Sequence, residues 1–167
     1  MWPGKHAQER PEHVAFVMAS TGETVTYREL NDRSNRFAQC LYAAGLRFGD
    51  HIAVLMENRR EFFEVCWAAQ RSGLYYTAVN WHFNADETAY ILDDCDAQVL
   101  VISEQFRGVA TELLDKMPGV KLRLMVGGVV DGYDSYEETR DRYPAEPLEE
   151  ELEGTRMLYS SGTTGRP

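Results

Sequence analysis

Cysteine is scarce in these 167 residues: Cys40, Cys66 and Cys95 are scattered, odd in number, and form no Cys-x-x-Cys pair. That pattern excludes a disulfide framework, gives no zinc-ligand spacing, and reads as small buried hydrophobes in a reducing compartment. Positive charge is also short, with 17 basic against 27 acidic residues and a formal charge of −10. Such a balance argues against a nucleic-acid partner or an anionic membrane surface, both of which are met by basic surface. No apolar run approaches a transmembrane span, and Met1 to His6 has no signal-peptide core, so the expected location is cytoplasmic. There is no internal repeat and no low-complexity tract. What remains, 44% hydrophobic and 26% charged residues, is ordinary globular composition, enough for one domain with a sizeable core.

Along the chain, apolar runs of strand length alternate with helical patterns. Val14 to Met18 and Glu23 to Thr26 read as short strands around a turn. Thr26 with Glu29 forms a capping box for a helix bearing Leu30, Phe37, Ala38 and Leu41 on one face, closed by Gly45. A strand at His51 to Met56 precedes a helix from about Arg60 to Ser72. That helix is apolar nearly all round, so deep burial is expected, with Trp67 in the core. Leu74 to Val79 is a strand, Asn84 caps the next helix, and Gln98 to Ile102 is another strand. Ser103 is expected to cap an amphipathic helix with Phe106, Ala110 and Leu113. Lys121 to Val126 is a strand, Ser135 and Glu138 make a second capping box, and residues 144–154 read as a solvated acidic linker. A last strand, Thr155 to Tyr159, follows. Strand and helix alternate and the strands are continuously apolar, which predicts an α/β fold: a mostly parallel sheet with helices on both faces.

The final strand delivers Ser160-Ser161-Gly162-Thr163-Thr164-Gly165-Arg166-Pro167, four hydroxyls and two glycines in six consecutive positions. Alone, that composition would suit a flexible linker. After a strand of an α/β chain it suits a phosphate cradle: glycines allow close backbone approach, and amides and hydroxyls aim donors at anionic oxygens. It is not a Walker loop, because only two residues separate Gly162 from Gly165 and no Gly-Lys-Ser/Thr follows. A Gly-x-Gly-x-x-Gly dinucleotide motif is absent.

Tyr159 to Pro167 resembles the signature of adenylate-forming enzymes (acyl-CoA synthetases, luciferases and peptide-synthetase adenylation domains), which reads Tyr-Ser/Thr-Ser-Gly-Thr-Thr-Gly-x-Pro-Lys-Gly. The resemblance runs upstream through Thr26 to Leu30 with Ala38 and Leu41, Gly45 to Asp50 before His51 to Val54, Asn58 to Ala69, and Gly73 to Asn80. Asn80-Trp81-His82-Phe83, followed by Glu87, Tyr90 to Leu92 and Asp94, is most similar to fatty-acyl-CoA synthetases. It implies ATP, Mg2+ and coenzyme A as cofactors, and a small-molecule carboxylic acid, expected to be a fatty acid, as substrate. The acid is activated as an acyl-adenylate and then transferred to the thiol. It also implies that Ser160, Ser161, Gly162, Thr163, Thr164 and Gly165 bind the ATP phosphates.

No catalytic or metal-ligating residue is assigned. His82 reads as a loop histidine rather than a base, Trp81 and Phe83 as core or rim packing, and Asp93, Asp94 and Asp96 as a solvated helix end. The family's lysine after Pro167, its adenine- and ribose-binding segment, the acid that assists magnesium, and the lid with its catalytic lysine fall outside these residues. Residues 1–167 are therefore expected to be the N-terminal, incomplete portion of a larger adenylation domain, inactive alone and prone to self-association or to pairing with a complementing chain. A non-catalytic binding module, half of a split enzyme, or part of a peptide-synthetase adenylation domain are the alternatives.

Overall fold

The central strands of the six-stranded sheet are apolar and buried, whereas the strands at its two edges are short and polar. The computed structural model describes residues 3–159. Helix α1 (Pro3–Glu9), which no strong periodicity predicts, leads into a hairpin of β1 (Val14–Val17) and β2 (Thr24–Thr26). Helix α2 (Tyr27–Ala43) starts at the expected box: Thr26 accepts from the Glu29 N–H at 3.2 Å, and Glu29 accepts from the Thr26 N–H at 2.8 Å. It stops where Gly45 takes φ +95°, a backbone that other residues avoid.

The elements then alternate: β3 (His51–Leu55), α3 (Arg60–Arg71), β4 (Tyr75–Ala78), α4 (Ala85–Asp94), β5 (Ala97–Ser103), a 3-10 turn (Glu104–Phe106), α5 (Arg107–Leu113) and β6 (Leu122–Val126). After them come β7 (Asp134–Ser135), α6 (Tyr136–Asp141) and β8 (Thr155–Met157). The sheet order is β7-β6-β5-β3-β4-β8, and every neighbouring pair is parallel.

Alternate residues of the central strands feed two cores. Ile52, Val54, Val99 and Val101 pack with Phe37 and Leu41 of α2, Val65 of α3 and Tyr136 of α6. Ala53, Leu55, Leu100 and Ile102 pack with Ile91 and Leu92 of α4 and Ala110 and Leu113 of α5. All three cysteines are buried with free thiols. The first core also holds a charged knot. Glu64, with no exposed side-chain surface, meets Arg33 at 3.1 Å and Arg140 at 2.8 Å, and the Tyr136 hydroxyl donates to it at 3.4 Å. Burial raises the Glu64 carboxyl above the usual range, against the pull of the Arg140 and Arg33 charges.

Two expectations need correction. Helix α3 is not deeply buried all round: Phe63 is 42% exposed although it packs against Phe16 at 4.6 Å, and Trp67 is half-buried. Ser103 does not cap a helix, because its hydroxyl donates instead to Glu57 Oε2 at 2.5 Å and a 3-10 turn intervenes before α5. The acids of residues 144–154 are exposed, and the segment is tethered. Asn35 and Gln39 donate to the carbonyls of Ala145, Glu146 and Pro147, and Glu151 meets the buried Arg71 at 2.6 Å.

Candidate active site

Parallel strands bring all their carboxyl ends to one rim, which is where ligands sit in open α/β sheets. Here the rim is built by the segments after β3 (Glu57, Asn58, Arg59), β4 (Asn80 to Phe83), β5 (Ser103, Glu104), β6 (Gly127, Gly128) and β8 (Leu158, Tyr159). The chain reverses its winding direction between β3 and β5, the position at which open α/β sheets place their ligands.

Beyond the end of β3 a cavity of about 480 Å³ is lined by Ser20, Thr21, Glu57, Asn58, Arg59 and Arg60, among others. Its charges are already paired. Arg59 lies 3.2 Å from Glu57 and 2.7 Å from Glu61, and Arg60 meets Glu61 at 2.9 Å and Glu23 at 2.6 Å. Burial would pull the Arg59 guanidinium down, but the hydrogen bond and charge of Glu61, with Glu57, hold it above its usual value. Next door, Gly127 takes φ +82°, and a Cβ there would fall 2.9 Å from Glu104. Its N–H donates to Glu137 at 3.0 Å. None of these rim polar groups is picked out by local sequence pattern. The usable signal is their place one to four residues beyond a strand end.

At the β4 and β5 ends lies an aromatic group, with Trp81 and His82 at 3.7 Å between ring centroids and Trp81 and Phe106 at 6.5 Å. Trp81 is 48% exposed, so it is a rim residue, not core. Among the described residues no carboxylate lies within ion-pair distance of His82, whose backbone N–H donates to Asn80 at 3.1 Å. Asp93, Asp94 and Asp96 are exposed. No group of three or more His, Cys, Asp or Glu that could hold a metal occurs among the described residues.

Strand β8 sits at the sheet edge beside β4, with Met157 opposite Thr77. It arrives there through Gly154, whose N–H donates to Gln70 at 2.7 Å; a Cβ at this position would stand 2.2 Å from the Leu74 carbonyl oxygen. The strand points toward the same rim as β3 to β6. Ser160, Ser161, Gly162, Thr163, Thr164 and Gly165, the expected phosphate-binding residues, lie outside the described residues. The structure thus gives the strand that precedes that run in the sequence and the rim at which the strand is aimed.

A parallel α/β sheet, with a hydroxyl-and-glycine sequence following its edge strand, defines the class. The family model for AMP-binding enzymes matches residues 4–167, and the chain belongs to that family. It is 31% identical over 169 residues to the fatty acid–[acyl-carrier-protein] ligase ScoC of Streptomyces coeruleorubidus, covering 97% of this chain and 30% of that protein. It is 30% identical to a crotonobetaine/carnitine–CoA ligase of Escherichia coli, over 92% of this chain and 32% of that one. A Mycobacterium tuberculosis fatty acyl CoA synthetase superposes with a TM-score of 0.82 at 26% identity, covering 95% of this chain and 32% of the other. The chain thus spans about three-tenths of the length of the curated relatives it matches. Among the described residues no helix is long and apolar enough to cross a membrane.

Proposed function

We propose that these residues supply the phosphate-binding edge of an ATP-dependent acid–thiol ligase that activates a carboxylic acid, of the fatty-acid class, and passes it to coenzyme A. The observation that carries this reading is the placement of β8. It is an edge strand, parallel to its neighbour and aimed at the ligand-binding rim, and in the sequence only Leu158 and Tyr159 separate it from Ser160 to Gly165.

In the first step a carboxylate oxygen of the acid attacks the α-phosphorus of ATP. The bond to the bridging oxygen breaks, and pyrophosphate leaves with the electron pair. Charge grows on the departing phosphates as that bond breaks, so donors already in place lower the barrier. The hydroxyls of Ser160, Ser161, Thr163 and Thr164 and the amides around Gly162 and Gly165 are those donors. Mg2+ comes with the nucleotide and supplies counter-charge. In the second step the thiol sulfur of coenzyme A attacks the acyl carbonyl carbon, AMP leaves, and the thiol proton is released. One relative named for acyl-carrier-protein and another named for CoA support an acid–thiol ligase; coenzyme A is the acceptor proposed here.

The test is acid-dependent ATP–pyrophosphate exchange, measured on residues 1–167 alone and on the complete reading frame that contains them, over a panel of carboxylic acids. The expected result is no exchange from residues 1–167, and exchange from the complete frame that falls about tenfold or more in Thr163→Val/Thr164→Val. Unchanged exchange in that variant overturns the phosphate assignment, and acyl-AMP formed by residues 1–167 overturns their inactivity.

A second reading, half of a two-chain assembly, is favoured by one observation. Phe63, Val17 and Leu158 are exposed at 42%, 55% and 67%, and β8 has one strand neighbour among the described residues. Sedimentation of the isolated chain tests it: association supports it, and a monodisperse, cooperatively melting monomer counts against it.

A further inference from the structure

At the amino ends of β3 and β4, the opposite end of the sheet from the ligand-binding rim, lies a groove of about 560 Å³. It opens between the end of α2, the turn before β3, the end of α3 and the segment after α6. Its apolar lining is Tyr42, Phe48, Leu148 and Leu152. Phe48 is 67% exposed and Tyr42 51%, so both aromatic rings meet water. Clustered exposed apolar surface with a polar margin marks a contact site.

These side chains are not loose. Gly73, at φ +72°, lies so close that a Cβ there would stand 2.7 Å from the Phe48 ring and 2.9 Å from Leu152. The Gly49 N–H donates to the Gly73 carbonyl at 3.0 Å, which fastens the turn carrying Phe48 to the end of α3. Leu152 pairs with Ser72, and Leu148 packs against the first core. The Arg47 guanidinium lies 3.9 Å over the Tyr42 ring and donates to the Tyr42 and Leu46 carbonyls at 2.9 and 2.7 Å. The groove is already formed, so a partner does not have to order it.

Its flank is acidic. Residues 146–153 carry five glutamates, and among the described residues only Glu151 has a cation within ion-pair distance. Glu149 and Glu150 line the groove itself, and Glu146 and Glu153 stand exposed to either side of them in sequence. Arg47, the cation among the lining residues, is engaged by Tyr42 and two carbonyls. The surface complementary to this one is apolar in the middle and basic at its margin. An amphipathic helix bearing Lys or Arg presents that pattern. A second copy of a chain with formal charge −10 does not, and neither does an anionic bilayer.

We propose that this groove docks a basic amphipathic helix of another protein. Its apolar side chains lie against Phe48, Leu148 and Leu152, and its Lys or Arg residues face Glu149 and Glu150.

The probe is a synthetic Leu/Lys peptide of about five helical turns with amphipathic spacing, and its control is the same composition scrambled. Calorimetry follows binding to residues 1–167 and to the complete reading frame, and amide NMR shifts locate it on residues 1–167. The expected result is saturable binding to both, with shifts at residues 39–48 and 147–153. Phe48→Ala weakens it about tenfold, and Glu149→Lys/Glu150→Lys at least as much, with a flatter salt dependence. Glu112→Lys/Asp115→Lys, the same charge change at exposed positions elsewhere, stays near the parent. Glu149 and Glu150 are exposed, so the charge reversal tests the groove even if Phe48→Ala loosens the turn at Gly73.

Scrambled peptide binding as tightly as the helical one, shifts centred elsewhere, or either groove variant binding like the parent overturns the proposal. So does binding by residues 1–167 that the complete frame lacks, because the groove is then an internal packing face. Self-association that Phe48→Ala abolishes makes a second copy the occupant and overturns it too.

Discussion

The centre and the edge of this sheet are built differently. Strand β5 has seven residues, six of them buried, with β3 and β6 on either side and helices on both faces. Strand β8 has three, two of them exposed, with one strand neighbour among the described residues. The centre is over-determined by packing. The edge depends on a few specific contacts: Gly154 against Leu74, Met157 opposite Thr77, and Tyr159 on Asp94. Stability is concentrated in one place and the proposed chemistry in another, as expected where a loop must adapt to its ligand.

Substitutions at the centre should have the largest effect. Leu100→Ala or Ile102→Ala removes fully buried methyl groups and is expected to lower unfolding free energy in urea by about 3–4 kcal/mol, against about 1 kcal/mol for Met157→Ala at the edge. Equal losses would abolish the contrast. Glu64→Ala should come next, at about 2–3 kcal/mol, because it leaves Arg140 and Tyr136 facing each other without their shared acceptor.

Gly154→Ala sharpens the comparison further. The new methyl group meets the Leu74 backbone, so hydrogen exchange should show β8 released from β4 while β5 stays protected. Simultaneous loss at both strands would mean that edge and centre unfold as one unit.

Acid is expected to act more gently. The Glu61 carboxyl is held low: burial raises it, and the hydrogen bonds of Arg59 and Arg60 outweigh that. Asp141 is held low, first by Arg140. Both stabilise the fold above their ordinary values of 4.5 and 3.8, and that stability is lost as pH falls through the lowered folded values. Glu64 has the opposite sign: its contribution is present below 4.5 and lost as pH rises through its raised value, offsetting part of the acid loss. The Tm of the chain should therefore drop below about pH 4.5, less steeply in Glu61→Gln. The smallest change is expected at the thiols. Burial pushes Cys66 up to about 12 and Cys40 up to about 11, so at neutral pH a thiol reagent should label neither until the centre unfolds.

Much of the fold was legible because its signals are local. Thr26 with Glu29 and Asn84 with Glu87 mark helix starts within three residues, and unbroken apolar runs such as Val99 to Ile102 mark strands covered on both faces. The misreadings share another cause. Ser103 lies next to a helical pattern, but a glutamate 46 residues earlier claims its hydroxyl. Phe63 and Trp67 read as core because apolarity says what a residue prefers, not whether a neighbour covers it. Gly154 looks like a linker glycine until Leu74 is placed against it, and Tyr159 and Asp94 share no spacing that pattern could find. The loop sequence was the clearest functional signal, and the contacts that hold the strand before it were invisible without coordinates.

The clasp between α2 and the segment after α6 has one more consequence. Asn35, Arg36 and Gln39 reach the carbonyls of Tyr143, Ala145, Glu146 and Pro147 across more than a hundred residues, while the turn at Asp131-Gly132 stands exposed. A protease that nicks this turn should therefore cut the covalent chain without separating its two pieces, which would migrate together until denaturant parts them.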